Sequence, residues 1–380
     1  MKGVVQTVDR NFDVKACWSK AGIGTSILLQ QRTQNNKGFK IALDLGCTPI
    51  FDQTIGASAV VLSHGHIDHF GGIFSHARAH SLQSSGSVPS YYAPKHLVPK
   101  IEKAREIFTE IDATCCPDDF ISNNSHRSES LIAMNIIPIE AGVEVEIKQK
   151  KVKNGIRFYL RPFHVSHGGH PAYGYTIVSK TTLTQLKEEY QGLEGKDIGK
   201  IARSGIEIKE TVVKEAVEVC YTGDTSVDGL TWHVNFTSSD DSRMNSAQYL
   251  QQGFEAPIIL CELTFLDRKD EQISKERGHL NIANIEEIFT SHGWDMMDRC
   301  KIDTNRQLIF YHISAKHGPV DAILESLSKE LPSSLIDLSQ VAISSFMSPS
   351  QTKFDTITRE NGCIALRDWA SQKEKLGNEH

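Results

Sequence analysis

"VVLSHGHIDHFGGI", residues 60–73, sets three histidines and an aspartate into six positions directly behind a run of apolar, β-branched residues. Unpaired polar groups are costly to bury, so His64, His66, Asp68 and His69 require something that offsets their desolvation. The apolar run has strand character, and "HFGGIFSHARAHSL" behind it carries helical spacing, which places the cluster in the loop between a strand and a helix. Zinc takes such imidazole and carboxylate ligands at about 2.0–2.2 Å, and a catalytic zinc usually takes three of them from protein. Four donors in one loop therefore point to two ions, with further ligands arriving from elsewhere in the chain.

Three later stretches offer them. "AVEVCYTGDTS", "APIILCELTF" and "NRQLIFYHIS" are apolar strands that end in Asp224, Glu262 and His312, and active sites of layered α/β proteins gather where strand ends meet loops. A fourth strand closes "IKQKKVKNGIRFYLRPFHV", a hairpin turning at Asn154-Gly155, and ends at His164. His164, Asp224 and His312 are the natural candidates to complete the ligand set. His167 and His170 in "FHVSHGGHPAYGY" compete with His164, and spacing leaves that choice open, with the strand end favouring His164. His76 and His80, four apart on the predicted helix, read as solvent-facing. Such a set suits two ions about 3.5–4 Å apart that activate a water for attack on phosphorus or carbon without a protein nucleophile.

Around this site the chain reads as an ordinary globular protein. It has 380 residues, 39% hydrophobic and 23% charged, enough for one large α/β unit with an extensive core. "GTSILLQQ" and "KIALDLG" read as strands ahead of the cluster, and "PKHLVPKIEKAREIF" as a second helix. "SLQSSGSVPS" is a surface loop, "CCPDDFISNNSHRSES" an exposed insertion, and the tail "SQKEKLGNEH" is expected to fray. The charged stretch from Lys187 to Lys209 has helical spacing with weak apolar faces, as a projecting arm would. The formal net charge of −6 excludes a blanket of positive field, so a polyanionic partner must meet a local basic patch or a metal centre. One basic run, Lys148, Lys150, Lys151, Lys153, Arg157 and Arg161, lies on the hairpin, where lysines often serve to block edge pairing. No stretch approaches the ~18 apolar residues of a membrane helix. The eight cysteines (Cys17, Cys47, Cys115, Cys116, Cys220, Cys261, Cys300, Cys363) form no C-x-x-C pair, which fits reduced thiols in a cytosol-like compartment. No Arg/Ser-rich transit pattern stands at the N-terminus, so the cytosol or nucleus is the expected location.

"SHGHIDHFGG" resembles the signature of the metallo-β-lactamase superfamily, and "FHV…GYTI", "YTGDT", "CELTFLD", "GHLNIANIEEI" and "HISAKH" follow in the order of the ribonuclease Z family. "LKEEYQGLEGKDIGKIARSGIEI" resembles the short eukaryotic, plant-like enzymes most. The resemblance runs from Asp44 to His317 and implies a four-layer αββα sandwich with an inserted arm. On that pattern, residues 1–350 form the catalytic domain, 180–212 the arm and 351–380 a C-terminal extension. It implies a zinc-dependent endoribonuclease that removes the 3′ trailer from precursor tRNA and acts as a homodimer without a membrane. One zinc would be held by His64, His66 and His164, and the other by Asp68, His69 and His312, with Asp224 bridging. Asp68 would orient or deprotonate the attacking water, and His279, paired with Glu262, would pass a proton to the leaving 3′ oxygen. Lys316 and His317 stand where the family pattern has Arg and Tyr, and the arm offers Lys187, Lys196, Lys200 and Arg203 in place of a Gly/Pro-rich knob. Because fold does not fix substrate, a small-molecule phosphodiesterase or thioesterase is the competing reading.

Overall fold

The computed structural model describes residues 10–34, 38–83, 87–113, 132–149, 152, 155–235, 240–292, 306–342 and 361–377. Two sheets dominate. The first runs in the order β1 (Phe12–Lys20), β2 (Gly24–Gln31), β3 (Lys40–Leu45), β4 (Ala59–Val61), β5 (Ser90–Pro94) and β6 (Asn135–Ile139). The second counts down from the C-terminus: β14 (Cys363–Ala365), β13 (Ser339–Ala342), β12 (Gln307–Tyr311), β11 (Ile258–Glu262), β10 (Lys209–Tyr221), β9 (His170–Leu186), β8 (Ile156–His167) and β7 (Val145–Ile147).

Three apolar clusters show how these sheets are layered. One joins Ile27, Leu43 and Val61 of the first sheet to Phe158, Ile177, Val219 and Leu260 of the second, so the sheets face each other. Another packs the outer side of the first sheet, through Val60 and Tyr91, on Ile73, Ala77 and Ile101 of the helices Ile73–Gln83 and Val98–Ala113. The third packs Ile259, Cys261 and Phe310 of the second sheet under Leu250, Phe289, Leu324 and Trp369 of outer helices. The result is the αββα sandwich expected from the sequence. β11, "IILCE", is buried at every position and paired in parallel with both β10 and β12, as a strand covered on both faces must be.

The arm differs from its sequence reading. β9 and β10 pair all the way out to Leu186 and Lys209, and the outer nine residues of β10 are exposed or half-buried, so a two-stranded ribbon carries it. Its helix is confined to Gly195–Arg203 and has no buried residue. The C-terminal stretch differs too. β14 closes the second sheet, and the helix Leu366–Gly377 behind it sinks Trp369 into the core; the first seven residues of the expected tail, 371–377, are helical, and its last three lie outside the described residues. The Asn154-Gly155 turn lies partly outside the described residues, although Gly155 has a φ of +70° and β7 pairs antiparallel with β8. Cys115, Cys116, Cys300, Lys150, Lys151 and Lys153 also lie outside them. Cys17, Cys47, Cys220, Cys261 and Cys363 are free thiols. Among the described residues no helix is long and apolar enough to cross a membrane.

Candidate metal centre

The loop after β4 lies against the end of β3. Asp44, buried there with a φ of +51°, is the hub that sequence reasoning missed. Its Oδ1 accepts from the Ser63 N–H at 2.7 Å. Its Oδ2 accepts from Ser63 Oγ at 2.6 Å, Tyr221 OH at 2.6 Å and His69 Nδ1 at 2.7 Å. The available signal was an aspartate inside the apolar strand "KIALDLG". Gly46 lets the loop close, since a Cβ there would lie 2.0 Å from the Asp68 carbonyl oxygen.

Among the described residues five groups of donor atoms converge, those of each group within 4.8 Å: His64, His66 and His167; His64, His69 and Asp224; Asp68, His69 and His312; His167, Asp224 and His279; and Glu262, His279 and His312. His69 Nε2 lies 3.1 Å from Asp224 Oδ2, and His312 Nε2 lies 3.2 Å from it and 3.5 Å from Asp68 Oδ2. The hydrogen bonds behind these rings fix which nitrogen faces the cluster. His69 donates Nδ1–H to Asp44, His167 donates Nδ1–H to the Gly278 carbonyl at 2.8 Å, and His312 Nδ1 meets Thr264 Oγ1 at 3.0 Å. Ser63 Oγ spends its proton on Asp44 and so accepts from His64 Nδ1 at 2.9 Å. Nε2 of all four rings is left aimed inward, the arrangement of metal-binding imidazoles oriented from behind.

Two buried atoms in this cluster, His64 Nε2 and Asp224 Oδ1, have no hydrogen-bond partner. Orphans of that kind are rare in a packed interior, and a cation between them satisfies both; the residues fit metal ions. The electrostatics agree with a site that concentrates negative charge. Burial opposes ionisation of Asp68, yet the hydrogen bond from His312 and the fields of His69 and His312 pull it down to about 2. Burial likewise opposes ionisation of Asp224, and His312 and His69 hold it well below the carboxylate range. Burial lowers His64, His66 and His167, with neighbouring imidazoles adding to it. His69 goes the other way, because Asp224 and Asp44 outweigh its burial.

Beside the cluster, Glu262 is fully buried and its carboxylate is saturated. Oε1 accepts from Thr225 N, Leu280 N and His279 Nδ1, and Oε2 from Thr264 N and Oγ1, all between 2.9 and 3.1 Å. With no free lone pair directed at a cation, Glu262 serves to hold His279. Burial works against a charged His279, and the Glu262 carboxylate outweighs it, raising its pKa. The imidazole stands at the rim, 4.9 Å from the His167 ring and 5.2 Å from that of His312.

His164 is the correction. It is exposed, its ring meets Tyr173 at 5.5 Å, and it belongs to none of the donor groups; His167 stands in the place expected for it. β8 runs three residues further than expected, to His167, which pairs with His170 across Gly168 and Gly169 at φ +53° and +82°. An odd step along a strand also sends a side chain to the opposite face. A Gly-Gly pair between polar residues is a two-residue hairpin signal that sequence reasoning passed over. His170 remains at the rim, 4.7 Å from the His66 ring. His76 and His80 are buried rather than solvent-facing, pinned to the carbonyls of Thr54 and Ile55. Arg161 is buried among Glu144, Glu215 and Gln252, and Arg157 pairs with Glu146 across the edge hairpin. Lys316 pairs with Asp270, and His317 Nε2 accepts from the Leu266 N–H.

No family model matches the chain. It is 27% identical over 293 residues to the chloroplastic tRNase Z TRZ2 of Arabidopsis thaliana, covering 76% of this chain and 66% of that protein. It is 25% identical over 280 residues to tRNase Z TRZ1 of the same plant, covering 73% and 79%. The chain thus spans about two thirds of the longer relative's length. Among solved structures, unliganded yeast PDE1 superposes with a TM-score of 0.50 at 15% identity, covering 87% of this chain and 97% of that one, a likeness of fold alone.

Proposed function

As a homologue of the tRNase Z proteins on a metallo-β-lactamase fold, this chain is, we propose, a metal-dependent endoribonuclease that removes the 3′ trailer from precursor tRNA. The observation that carries the reading is the pair of buried orphans, His64 Nε2 and Asp224 Oδ1, inside a cage of imidazoles already oriented from behind.

His64, His66 and His167 would hold one ion, Asp68, His69 and His312 the other, with Asp224 between them. Two zincs per chain suit this mixed nitrogen and oxygen set. When bound, such ions supply Lewis-acid stabilisation of the phosphate and lower the pKa of water toward neutrality. The chain's own groups do the rest. Asp68, steadied by the Gly22 N–H at 2.9 Å, orients a water and accepts its proton. Glu262 keeps Nδ1–H of His279 occupied, so Nε2 of that ring is the one free to deliver a proton to the departing 3′ oxygen. The exposed ribbon and its helix, with Lys196, Lys200 and Arg203, form an arm that grips tRNA away from the scissile bond. We further propose a homodimer in which each arm serves the partner's site and a location in the cytosol or nucleus; the catalytic domain expected over 1–350 takes in β14 and the helix Leu366–Gly377 of the expected 351–380 extension as well.

The test joins elemental analysis to cleavage of a precursor-tRNA transcript. About two zincs per chain and a cut next to the discriminator base are expected. A metal-loaded preparation that leaves the transcript intact while hydrolysing a simple phosphodiester refutes the tRNA reading. Gel filtration with light scattering tests the dimer, and a labelled chain followed in cells tests the location.

A further inference from the structure

A second depression lies beside the metal cage. It encloses about 390 Å³ and is lined by His164, Ser166, Asp228, Gly229, Trp232 and Arg243. One short segment leads into it from the centre. Asp224 faces the cage, Thr225 N–H donates to Glu262, Ser226 N–H donates to the Ser166 carbonyl at 2.6 Å, and the helix Val227–Thr231 then delivers Trp232 to the wall. Gly229 is where that helix presses on β8, since a Cβ there would lie 2.4 Å from Ser166 N. His164 and His167 lie three residues apart on the same strand, about 10 Å along it, with His164 on the other face of the strand from His167.

The lining has a matched chemistry. Trp232 and His164 bring two rings to the lining, the first backed by the apolar core and the second by Tyr173. Asp228 pairs with Lys275 at 3.0 Å, and Asp240, at the head of the Arg243 helix, caps Ser242 through its N–H and hydroxyl and also lies in the field of Arg243. Among the described residues no carboxylate makes an ion pair with the Arg243 guanidinium, which stands exposed at the mouth. Rings beside an exposed guanidinium are the elements that hold a base and its phosphate.

We propose that this depression is a nucleotide subsite: the base of a residue flanking the scissile phosphate lies against Trp232 and His164, and its phosphate sits on Arg243. The proposal rests on the ribonucleolytic reading and gives the position set aside as a ligand, His164, a role toward substrate.

Two measurements on the full-length, metal-loaded chain test it. The first is anisotropy with a short fluorescein-labelled phosphorothioate oligoribonucleotide, titrated at several salt concentrations. Arg243→Glu is expected to weaken binding about tenfold and reduce the salt slope by about one. Trp232→Ala is expected to weaken binding about tenfold as well, with Trp232→Phe keeping most of the affinity. The second compares kcat/KM on precursor tRNA with that on a small chromogenic diester; the Arg243→Glu loss on RNA should exceed the loss on the diester about tenfold, carried by KM. Unchanged affinity and slope, or equal loss on both substrates, overturns the subsite. A wild-type chain that cleaves no precursor tRNA overturns the functional reading alone; oligonucleotide binding that still depends on Arg243 and Trp232 then supports the subsite, and binding indifferent to them refutes it.

Discussion

Replacing Asp44 by Asn probes the part of the centre that never touches an ion. Asparagine is nearly isosteric and tolerates the left-handed backbone at φ +51°, so the loop is not forced to move. What changes is the acceptor count. The carboxylate takes four hydrogen bonds, three on Oδ2 and one on Oδ1. An amide keeps one acceptor oxygen, and its NH₂ must face a donor. Ser63 Oγ and Tyr221 OH can rotate to another partner; His69 Nδ1–H and the Ser63 N–H cannot. Turning the amide oxygen toward His69 leaves the backbone N–H unpaired, a cost of about 1–3 kcal/mol, and the negative charge that supports His69 is gone. Metal affinity should fall about 10- to 100-fold, the usual effect of removing a carboxylate behind a ligating histidine. Chelator competition gives the affinity, and urea denaturation of the metal-stripped protein gives the stability. Asp44→Asn protein that folds and binds metal with wild-type affinity refutes the argument that Asp44 orients the cage.

His167→Ala should lose about one metal per chain and most activity, whereas His164→Ala should keep its metals; elemental analysis of the pair decides between the two histidines. His279→Ala should lower kcat on precursor tRNA by about 10²–10⁴, with metal content retained, and lower it far less on a diester whose leaving group needs no proton; equal losses would deny the ring its role as acid. His76 donates Nε2–H to the Thr54 carbonyl and accepts from Tyr91 OH, and burial holds it at about 4. Since its folded pKa lies below the unfolded value of 6.5, this contribution is present in full above that value and is lost as pH falls toward 4. Between pH 7 and pH 5 it amounts to about 2 kcal/mol, so the urea midpoint of His76→Gln should decline less steeply over that interval than that of wild type.

The layers were legible because burial on two faces leaves a direct trace: β11, β12 and the inner end of β10 are apolar runs that stop where chemistry starts. Donors carried on one loop were equally plain, since His64, His66, Asp68 and His69 have no other reason to crowd together. What stayed hidden depended on partners far along the chain. Asp44 is an ordinary aspartate until Ser63, His69 and Tyr221 fold around it. His76 and His80 have the spacing of an exposed pair, and only the carbonyls of Thr54 and Ile55 make them interior residues. The choice between His164 and His167 turned on the Gly168-Gly169 turn, which lets β8 run on to His167 and which the sequence reading did not use.

The His312 N–H donates to Ser19 Oγ at 3.0 Å, across 293 positions of sequence. During synthesis, the cation-binding cage can therefore close only after β12 and the His312 that follows it have left the ribosome. A nascent chain carries the histidine-rich loop early but offers it no completed pocket, so metal loading waits for the emergence of His312. Truncation anywhere before β12 should yield a product that is inert as well as unstable.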